Sequence, residues 1–395
     1  GRGPESEWFN RPKMLPARLR PSCARLNFVA AAQRMQVHSS TPVQQSAIES
    51  VPEFKVGGRS SFSGVTATVF GCSGFLGPHV VNNLGKIGSR VVTPFRGDGM
   101  SIRPLKMMGD LGQIVAVPFD IRDPASVEAA VSKSNVVINC IGNEYATRNF
   151  SYRQTYVDST KTIVEACKKA GVSRIVNISA VNASLDSESP WLQANAEADE
   201  LLHSEFPDAT TLKVTRMFGL QDKFITKYCS FANQAPFTPL INHGDQLVQP
   251  VYVVDVADAV ANTIVKSDTK GKTYYIGGPE VLQMKNVIEE LHDQLYLRIS
   301  NAAPVPTKVA RMMGYALENL RMVLPQVAIM TEDQVLQDQY DNVVPPMVLT
   351  LEDLDVTKPT ALTGKMMDTI VDIHRGERGP ETKPKGRRTW DEVAL

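Results

Sequence analysis

A glycine-rich turn between a short apolar run and a helical segment constrains this chain more than any other feature. Val65–Phe70 has the composition of a buried strand, and the apolar residues of Phe75–Lys86 recur at helical spacing. Glycines between them let the backbone approach a pyrophosphate, and the start of the helix offers free N–H groups and partial positive charge. A plain strand–helix turn that needs glycine is the alternative. The GxxGxxG pattern, with a strand before it and a helix after it, favours a dinucleotide site. Its predicted residues are Gly71, Ser73, Gly74, Phe75, Leu76 and Gly77.

Downstream of this turn, short apolar runs alternate with longer helical segments, which is typical of a parallel sheet. Asp123 and Pro124 offer an N-cap followed by proline at the first helical position, and Gly171 is expected to end a helix over Tyr152–Ala170. Further strands are expected at Arg90–Thr93, Ile114–Val117, Val136–Cys140, Arg174–Ser179 and Leu212–Thr215. The predicted fold class is α/β, a doubly wound parallel Rossmann sheet with a smaller mixed C-terminal lobe.

The domain organisation follows from the length of 395 residues, which exceeds the usual range of one domain. The regular pattern weakens beyond about Gly219, and Thr307–Tyr340 contains one or two amphipathic helices broken near Pro325. The predicted divisions are a basic N-terminal extension over 1–60, a Rossmann domain over 61–255, a smaller lobe over 256–356 and a polar tail over 357–395.

Composition excludes several classes of function. Lys+Arg and Asp+Glu both total 42, and a nucleic-acid-binding protein would show a basic excess, so no nucleic-acid partner is expected. No apolar stretch approaches the roughly 20 residues needed to cross a bilayer. The histidines lack metal-ligand spacing, there is no HExxH pattern, and no metal site is predicted.

The N-terminal stretch between Trp8 and Ile48 carries no carboxylate. An Arg-rich, acid-free segment is typical of mitochondrial targeting sequences, so a transit peptide is predicted, with a basic docking arm as the alternative. Its basic residues are Arg11, Lys13, Arg18, Arg20, Arg25 and Arg34.

Cofactor specificity is set near the end of the second strand, where NAD-binding folds place an acidic residue. Here Arg96 follows Gly77 by 19 residues (96 − 77), and a guanidinium there would pair with a 2′-phosphate. This favours NADP(H) over NAD(H), with a solvated surface arginine as the alternative. Asp120 and Ile121 follow the third strand, where such folds contact adenine, and Ile141 and Gly142 follow the fourth, on the path to the ribose.

The combination of these motifs resembles the atypical extended short-chain dehydrogenase/reductase group. The glycine turn, Asp120–Asp123, Asn177–Ala180, Gln249–Ala257 and Tyr274–Glu280 carry the likeness, and Leu351–Leu354 extends it. Within that group the chain is most similar to the family of Rossmann-type accessory subunits of mitochondrial NADH:ubiquinone oxidoreductase, respiratory complex I. The resemblance covers roughly residues 60 to 360.

The resemblance also locates the catalytic positions of the active reductases, a tyrosine followed four residues later by a lysine. Trp191 and Asn195 stand there in this chain, and neither supplies the acid or the charge that lowers its pKa. A misalignment is the alternative, since Tyr145, Tyr152 and Tyr156 precede with Lys161 nearby. No catalytic residue is therefore predicted. The remaining expected cofactor contacts are Ser179, Asn195 and Met217.

These observations predict a non-catalytic accessory subunit of complex I that holds NADP(H) as a structural cofactor and supports assembly. Its expected partners are other subunits of that membrane complex, with peripheral contact at the matrix side of the mitochondrial inner membrane and no free substrate. Two alternatives stay open: an active NADP-dependent reductase or epimerase acting on a small substrate, and a sensor of the nucleotide redox state.

Overall fold

The part of the chain that the structure describes excludes both termini. The structure, a computed structural model, describes residues 58–97, 99–100, 102–234, 237–295, 302–323 and 330–377. Contacts divide the chain into two units, residues 1–50 and 51–395, and the described residues all belong to the second. Most of the predicted basic extension, the predicted helix break at Pro325 and the end of the predicted tail therefore lie outside the described residues.

The described residues form short strands connected mostly by helices. The strands are β1 (Thr66–Phe70), β2 (Arg90–Phe95), β3 (Ile114–Pro118), β4 (Val136–Asn139), β5 (Arg174–Ala180), β6 (Thr210–Val214), β7 (Met217–Phe218), β8 (Thr238–Ile241), β9 (Leu247–Val248), β10 (Val251–Tyr252), β11 (Thr273–Ile276), β12 (Leu282–Gln283) and β13 (Ala302–Val305). The helices are α1 (Gly77–Lys86), α2 (Arg103–Lys106), α3 (Pro124–Val131), α4 (Ser159–Ala170), α5 (Pro190–Glu205), α6 (Phe224–Gln234), α7 (Val253–Val265), α8 (Met284–Gln294), α9 (Thr307–Val323), α10 (Glu332–Gln337) and α11 (Leu362–Glu377). Among these helices none combines the length and apolar character that crossing a membrane requires.

Within the described residues, seven strands form one parallel sheet in the order β11-β6-β5-β4-β1-β2-β3. The direction of strand addition reverses between β1 and β4. In open sheets of this kind, ligands bind outside the carboxyl ends of the strands at such a reversal. The predicted Rossmann sheet is confirmed, and the site is expected where β1 and β4 end.

Helices cover both faces of the sheet. On one face α1 and α7 contribute Leu84 and Val260 to the core, and on the other α3 and α4 contribute Val127 and Ile163. A sheet covered on both faces favours continuous apolar strands, and Ala67–Phe70 of β1 are all buried. The doubly wound arrangement is therefore confirmed.

Two local predictions about helix ends hold, and one changes in detail. The Asp123 side chain accepts a hydrogen bond from the Ala125 N–H at 3.1 Å and caps α3. Gly171 adopts a left-handed conformation with φ 68° and ends α4. The helix predicted over Tyr152–Ala170 does begin at Tyr152, but it contains a π-helical turn over Gln154–Asp158, after which α4 continues from Ser159.

The smaller lobe is assembled from separate stretches of the chain. Its core joins α6, β8, α8 and α11, while α7 and β11 return to the main sheet. The lobe therefore begins before residue 256, and part of the predicted polar tail belongs to it. Leu362, Met366 and Ile370 of α11 are fully or almost fully buried, because their spacing of four residues places them on one helical face.

Candidate dinucleotide-binding site

The turn between β1 and α1 needs glycine at its two ends because backbones approach closely there. A Cβ on Gly71, whose φ is 76°, would lie 2.5 Å from the carbonyl oxygen of Cys140 at the end of β4. A Cβ on Gly77 would lie 2.4 Å from the carbonyl oxygen of Gly71. Leu76 at the α1 N-cap makes no capping hydrogen bond, so its side chain satisfies none of the first-turn N–H groups. The turn thus has the compact geometry and the free donors that an anion needs.

Most of the predicted contact residues line one cavity of about 310 Å³ at the carboxyl edge of the sheet. It is bounded by the loops after β1, β4 and β5 and by the segment after β6. The structure brings together there Gly74, Phe75, Leu76, Ile141, Gly142, Ser179, Asn195 and Met217.

Four predicted residues lie outside the wall of this cavity and of the second one described next. Gly71 and Gly77 act through the backbone contacts given above. Ser73 is exposed at the tip of the turn. Ile121 is half-buried and packs against the core on the α3 and α4 face, so its side chain has a packing contact instead.

A second cavity contains Arg96 and Asp120 and lies at the ends of β2 and β3. Its wall also includes Arg122, whose guanidinium lies 4.1 Å from the ring centroid of Phe150, while that of Arg96 lies 5.2 Å from the same centroid. Two cations on one aromatic ring repel each other, and an anion between them would relieve that repulsion. Arg122 and Phe150 were not among the predicted contacts, because Phe150 comes from the distant β4–π-helix loop.

Ser179, at the end of β5, is hydrogen-bonded to a buried carboxylate. Its hydroxyl donates to Asp199 Oδ2 at 2.6 Å, and the Asn177 amide donates to the other oxygen at 3.1 Å. Burial raises the pKa of Asp199 to about 6, against these hydrogen bonds and the Lys213 ammonium, 3.8 Å away, which lower it. The Ser179 proton therefore points away from the cavity and into the protein.

Trp191, on α5, closes a hydrogen-bonded cluster at the position expected for a catalytic tyrosine. Its indole N–H donates to the Tyr156 hydroxyl at 2.8 Å and to the Asn143 carbonyl at 3.1 Å. The Tyr156 hydroxyl donates to the same carbonyl at 3.0 Å, and burial raises the pKa of Tyr156, so the phenol stays protonated. The buried Asn195 amide donates to the Trp191 carbonyl at 2.8 Å. These groups bind one another and leave no ready proton donor among them.

The far wall of the first cavity carries charged groups that the sequence motifs do not indicate. Arg216 and Lys227 both bind the buried carboxylate of Asp338, the lysine at 3.4 Å. Burial opposes ionisation of that carboxyl, yet the two cations hold the pKa of Asp338 below its usual value. The three residues come from the β6–β7 connection, α6 and the end of α10, so only the folded chain brings them together.

Comparison with known proteins places this geometry in a family. The family model described as NAD(P)H-binding matches residues 71–266. The mitochondrial NADH dehydrogenase (ubiquinone) 1 alpha subcomplex subunit 9 of Arabidopsis thaliana is 38% identical over 328 residues, which cover 81% of each chain. The protein of the same name from Rattus norvegicus is 36% identical over 382 residues, which cover 90% of this chain and 98% of that one.

A solved structure shares the fold at much lower identity. An NADPH-dependent quinone oxidoreductase from Escherichia coli, solved with NADPH, superimposes with a TM-score of 0.60 at 18% identity and covers 78% of this chain. At that identity the likeness concerns the fold alone. The two relatives, in contrast, match over most of their length, and the chain belongs to the family of NADH dehydrogenase (ubiquinone) 1 alpha subcomplex subunit 9.

Proposed function

We propose that this chain is a non-catalytic accessory subunit of mitochondrial respiratory complex I, with NADP(H) bound as a structural cofactor that supports assembly and stability. The names of its relatives, subunits of a mitochondrial NADH dehydrogenase (ubiquinone), support this role. On this proposal its partners are other subunits of that complex. The chain would lie peripherally at the matrix side of the inner membrane.

The residues present fit a dinucleotide. The pyrophosphate would lie on the Gly71–Gly77 turn, whose backbone packs so closely that a Cβ on Gly77 would collide with it. Arg96, with Arg122 as a second cation, would hold the 2′-phosphate beside Phe150. Ile141, Gly142, Ser179, Asn195 and Met217 would line the remaining path toward the nicotinamide end.

The cluster around Trp191 carries the non-catalytic part of the proposal. An indole N–H only donates, and it does not exchange protons near neutral pH. It is bound to the Tyr156 hydroxyl and the Asn143 carbonyl, and Asn195 brings no charge that could lower the pKa of a neighbour. The Ser179 hydroxyl donates its hydrogen bond to the Asp199 carboxylate. Each group that an active reductase would use to move a proton is thus engaged elsewhere or replaced.

One observation favours the alternative of an active reductase. Tyr156 lines the first cavity and its hydroxyl lies beside Trp191, close to where a catalytic phenol is expected. Its hydroxyl, however, donates a hydrogen bond to the Asn143 carbonyl, and burial raises the pKa of Tyr156, both of which oppose proton release. The non-catalytic function is therefore the better supported one.

Binding alone can make the cofactor structural. A ligand that binds only the folded chain stabilises it by about 2.7 kcal/mol at a hundredfold excess over Kd. Because the first cavity is walled both by the sheet edge and by residues of the smaller lobe such as Phe224 and Lys227, a ligand there would hold the two together.

The test is to purify the protein from its native source, denature it by heat and identify the released nucleotide by mass. Recovery of about one NADP(H) per chain is expected. NAD(H) instead would contradict the role given to Arg96, and no nucleotide on purification or in titration would refute the structural cofactor.

A variant discriminates between the two functions. Replacing Trp191 by tyrosine and Asn195 by lysine restores the residue types of the active reductases. Turnover that appears only in the double variant would support a decayed active site. Turnover of NADPH by the wild-type chain that disappears in Tyr156→Phe would favour the alternative.

A further inference from the structure

The far wall of the first cavity holds more positive than negative charge. Three cations lie there, namely Arg216, Lys223 and Lys227. The nearby carboxylates are Glu144, at the wall, and Asp338, just behind it. Arg216 and Lys227 share the single carboxylate of Asp338, one cation on each oxygen. Three cations and two carboxylates leave one positive charge without a counterion from this group.

Lys223 is exposed, but the two cations that share the Asp338 carboxylate are poorly solvated and carry one positive charge more than that carboxylate balances. The side chains of Arg216 and Lys227 are 20% and 10% exposed, and that of Asp338 is 1% exposed. Burial opposes the charged form of Arg216, but the Asp338 carboxylate raises the pKa of Arg216, with a smaller contribution from Glu144. A partly buried charge without a partner costs free energy, so an anionic ligand at this wall would stabilise the arrangement.

The surrounding wall is apolar and aromatic. Phe75 and Trp191 form it on the sheet side, with Leu192 beside them, and Phe224 forms it on the lobe side. The Arg216 guanidinium lies 5.5 Å from the ring centroid of Phe224, so the charged and apolar surfaces adjoin. A ligand that fits would have one charged end and a small apolar body.

We propose that this part of the cavity binds a small organic carboxylate, with its charged group at Arg216 and Lys227 and its apolar body against Trp191 and Phe224. One residual positive charge matches a carboxylate, whereas a phosphate monoester carries about −1.5 to −2 at neutral pH. The site is separate from Arg96 and Arg122, which line the other cavity.

The experiment is a titration of the full chain, with and without NADPH, with benzoate and with benzamide, which has the same shape and no charge. Ligand-observed NMR and calorimetry measure the affinity. Benzoate is expected to bind with a Kd on the order of 1 mM, as suits so small a ligand. Benzamide is expected to bind at least about tenfold more weakly, since it lacks the charge-assisted hydrogen bonds.

Variants locate the bound anion. Lys227→Met leaves the Arg216–Asp338 pair intact and is expected to lower the affinity for benzoate about fivefold or more. Lys227→Arg is expected to keep that affinity close to the wild-type value. Lys285→Met on α8, a half-exposed lysine paired with Glu289, is the matched control and leaves the affinity unchanged. In the titration without NADPH, Arg96→Ala is also expected to leave the affinity unchanged, because Arg96 lines the other cavity.

The outcomes divide clearly. Equal affinity for benzoate and benzamide, or unchanged benzoate affinity in Lys227→Met, overturns the proposal. Loss of benzoate binding in Arg96→Ala does so too, because it would place the anion in the other cavity. If Lys227→Met does not fold, the exposed Lys223→Met serves in its place, and a weaker benzoate affinity is expected there.

Discussion

Replacing Gly77 by alanine tests the nucleotide site at the point where the geometry is tightest. The new Cβ would lie 2.4 Å from the Gly71 oxygen and 2.6 Å from both the Cα and the carbonyl carbon of Cys72. All three are backbone atoms, so no flexible side chain can move aside. Ordinary contacts begin near 3.4 Å, and the start of α1 would therefore have to shift by roughly 1 Å from the turn.

That shift has two measurable consequences. Overpacking of a tight site costs about 1 to 3 kcal/mol, which lowers the melting temperature. The first-turn N–H groups also move away from the pyrophosphate, and loss of a hydrogen bond to a charged group, about 1.5 to 3 kcal/mol, weakens NADPH by about 10- to 150-fold. Calorimetric titration of the purified chain at fixed salt measures the affinity, and thermal unfolding without nucleotide measures the stability.

Two further alanine variants serve as controls. Gly364 lies in α11, and a methyl group added there would meet no atom within 4 Å, so Gly364→Ala should leave NADPH affinity unchanged and stabilise the helix by up to about 1 kcal/mol. Gly74→Ala meets only the Gly71 oxygen at 3.2 Å and should give a smaller loss of affinity than Gly77→Ala. A folded Gly77→Ala that binds NADPH as tightly as the wild type would refute the reasoning.

Three other substitutions test separate parts of the structure. Arg96→Ala should lower the affinity for NADPH by about 10- to 100-fold in a calorimetric titration and change the affinity for NADH by less than about threefold. Equal losses of affinity for both nucleotides would contradict a contact between Arg96 and the 2′-phosphate. Asp199→Asn should remove a pH-dependent penalty: since burial raises the pKa of Asp199 from 3.8 to about 6, the wild type loses stability as pH rises through this range. Relative to the wild type, the variant's free energy of unfolding should therefore rise by about 2 kcal/mol between pH 4 and pH 7, and a difference independent of pH would contradict the shift. Ile370→Ala should destabilise the fold by about 2 to 5 kcal/mol in denaturant titration, and no effect would mean that α11 is a dispensable tail.

The sequence was most informative where the structure depends on neighbouring residues. The β1–turn–α1 unit was predictable, because apolar periodicity and the need for glycine at Gly71 and Gly77 act within a dozen residues. The caps at Asp123 and Gly171 were predictable for the same reason, since each satisfies backbone groups of its own helix.

Contacts between distant segments were not predictable in this way. The sequence presents Tyr156 only as an alternative for the catalytic position, and its hydrogen bond to Trp191 joins positions 35 residues apart. Phe150 joins Arg96 and Arg122 only because the loop after β4 folds over the end of β2. The position of β11 in the main sheet likewise depends on its pairing with β6. The regular alternation of strands and helices weakens after Gly219, so the sequence did not indicate this pairing.

On the proposed function, different residues bind the nucleotide and move the proton, so that a reductase-like site could become structural. The glycine turn and the Arg96 cavity would hold the nucleotide in its ground state, and neither takes part in moving a proton. On the proposed function, Trp191 and Asn195 at the expected catalytic positions would remove chemistry without removing a phosphate contact. The indole also ties the loop at Asn143 to α5. On the proposed function this hydrogen bond would stiffen the cavity wall, and a stiffer wall loses less entropy on binding and favours a tightly held nucleotide.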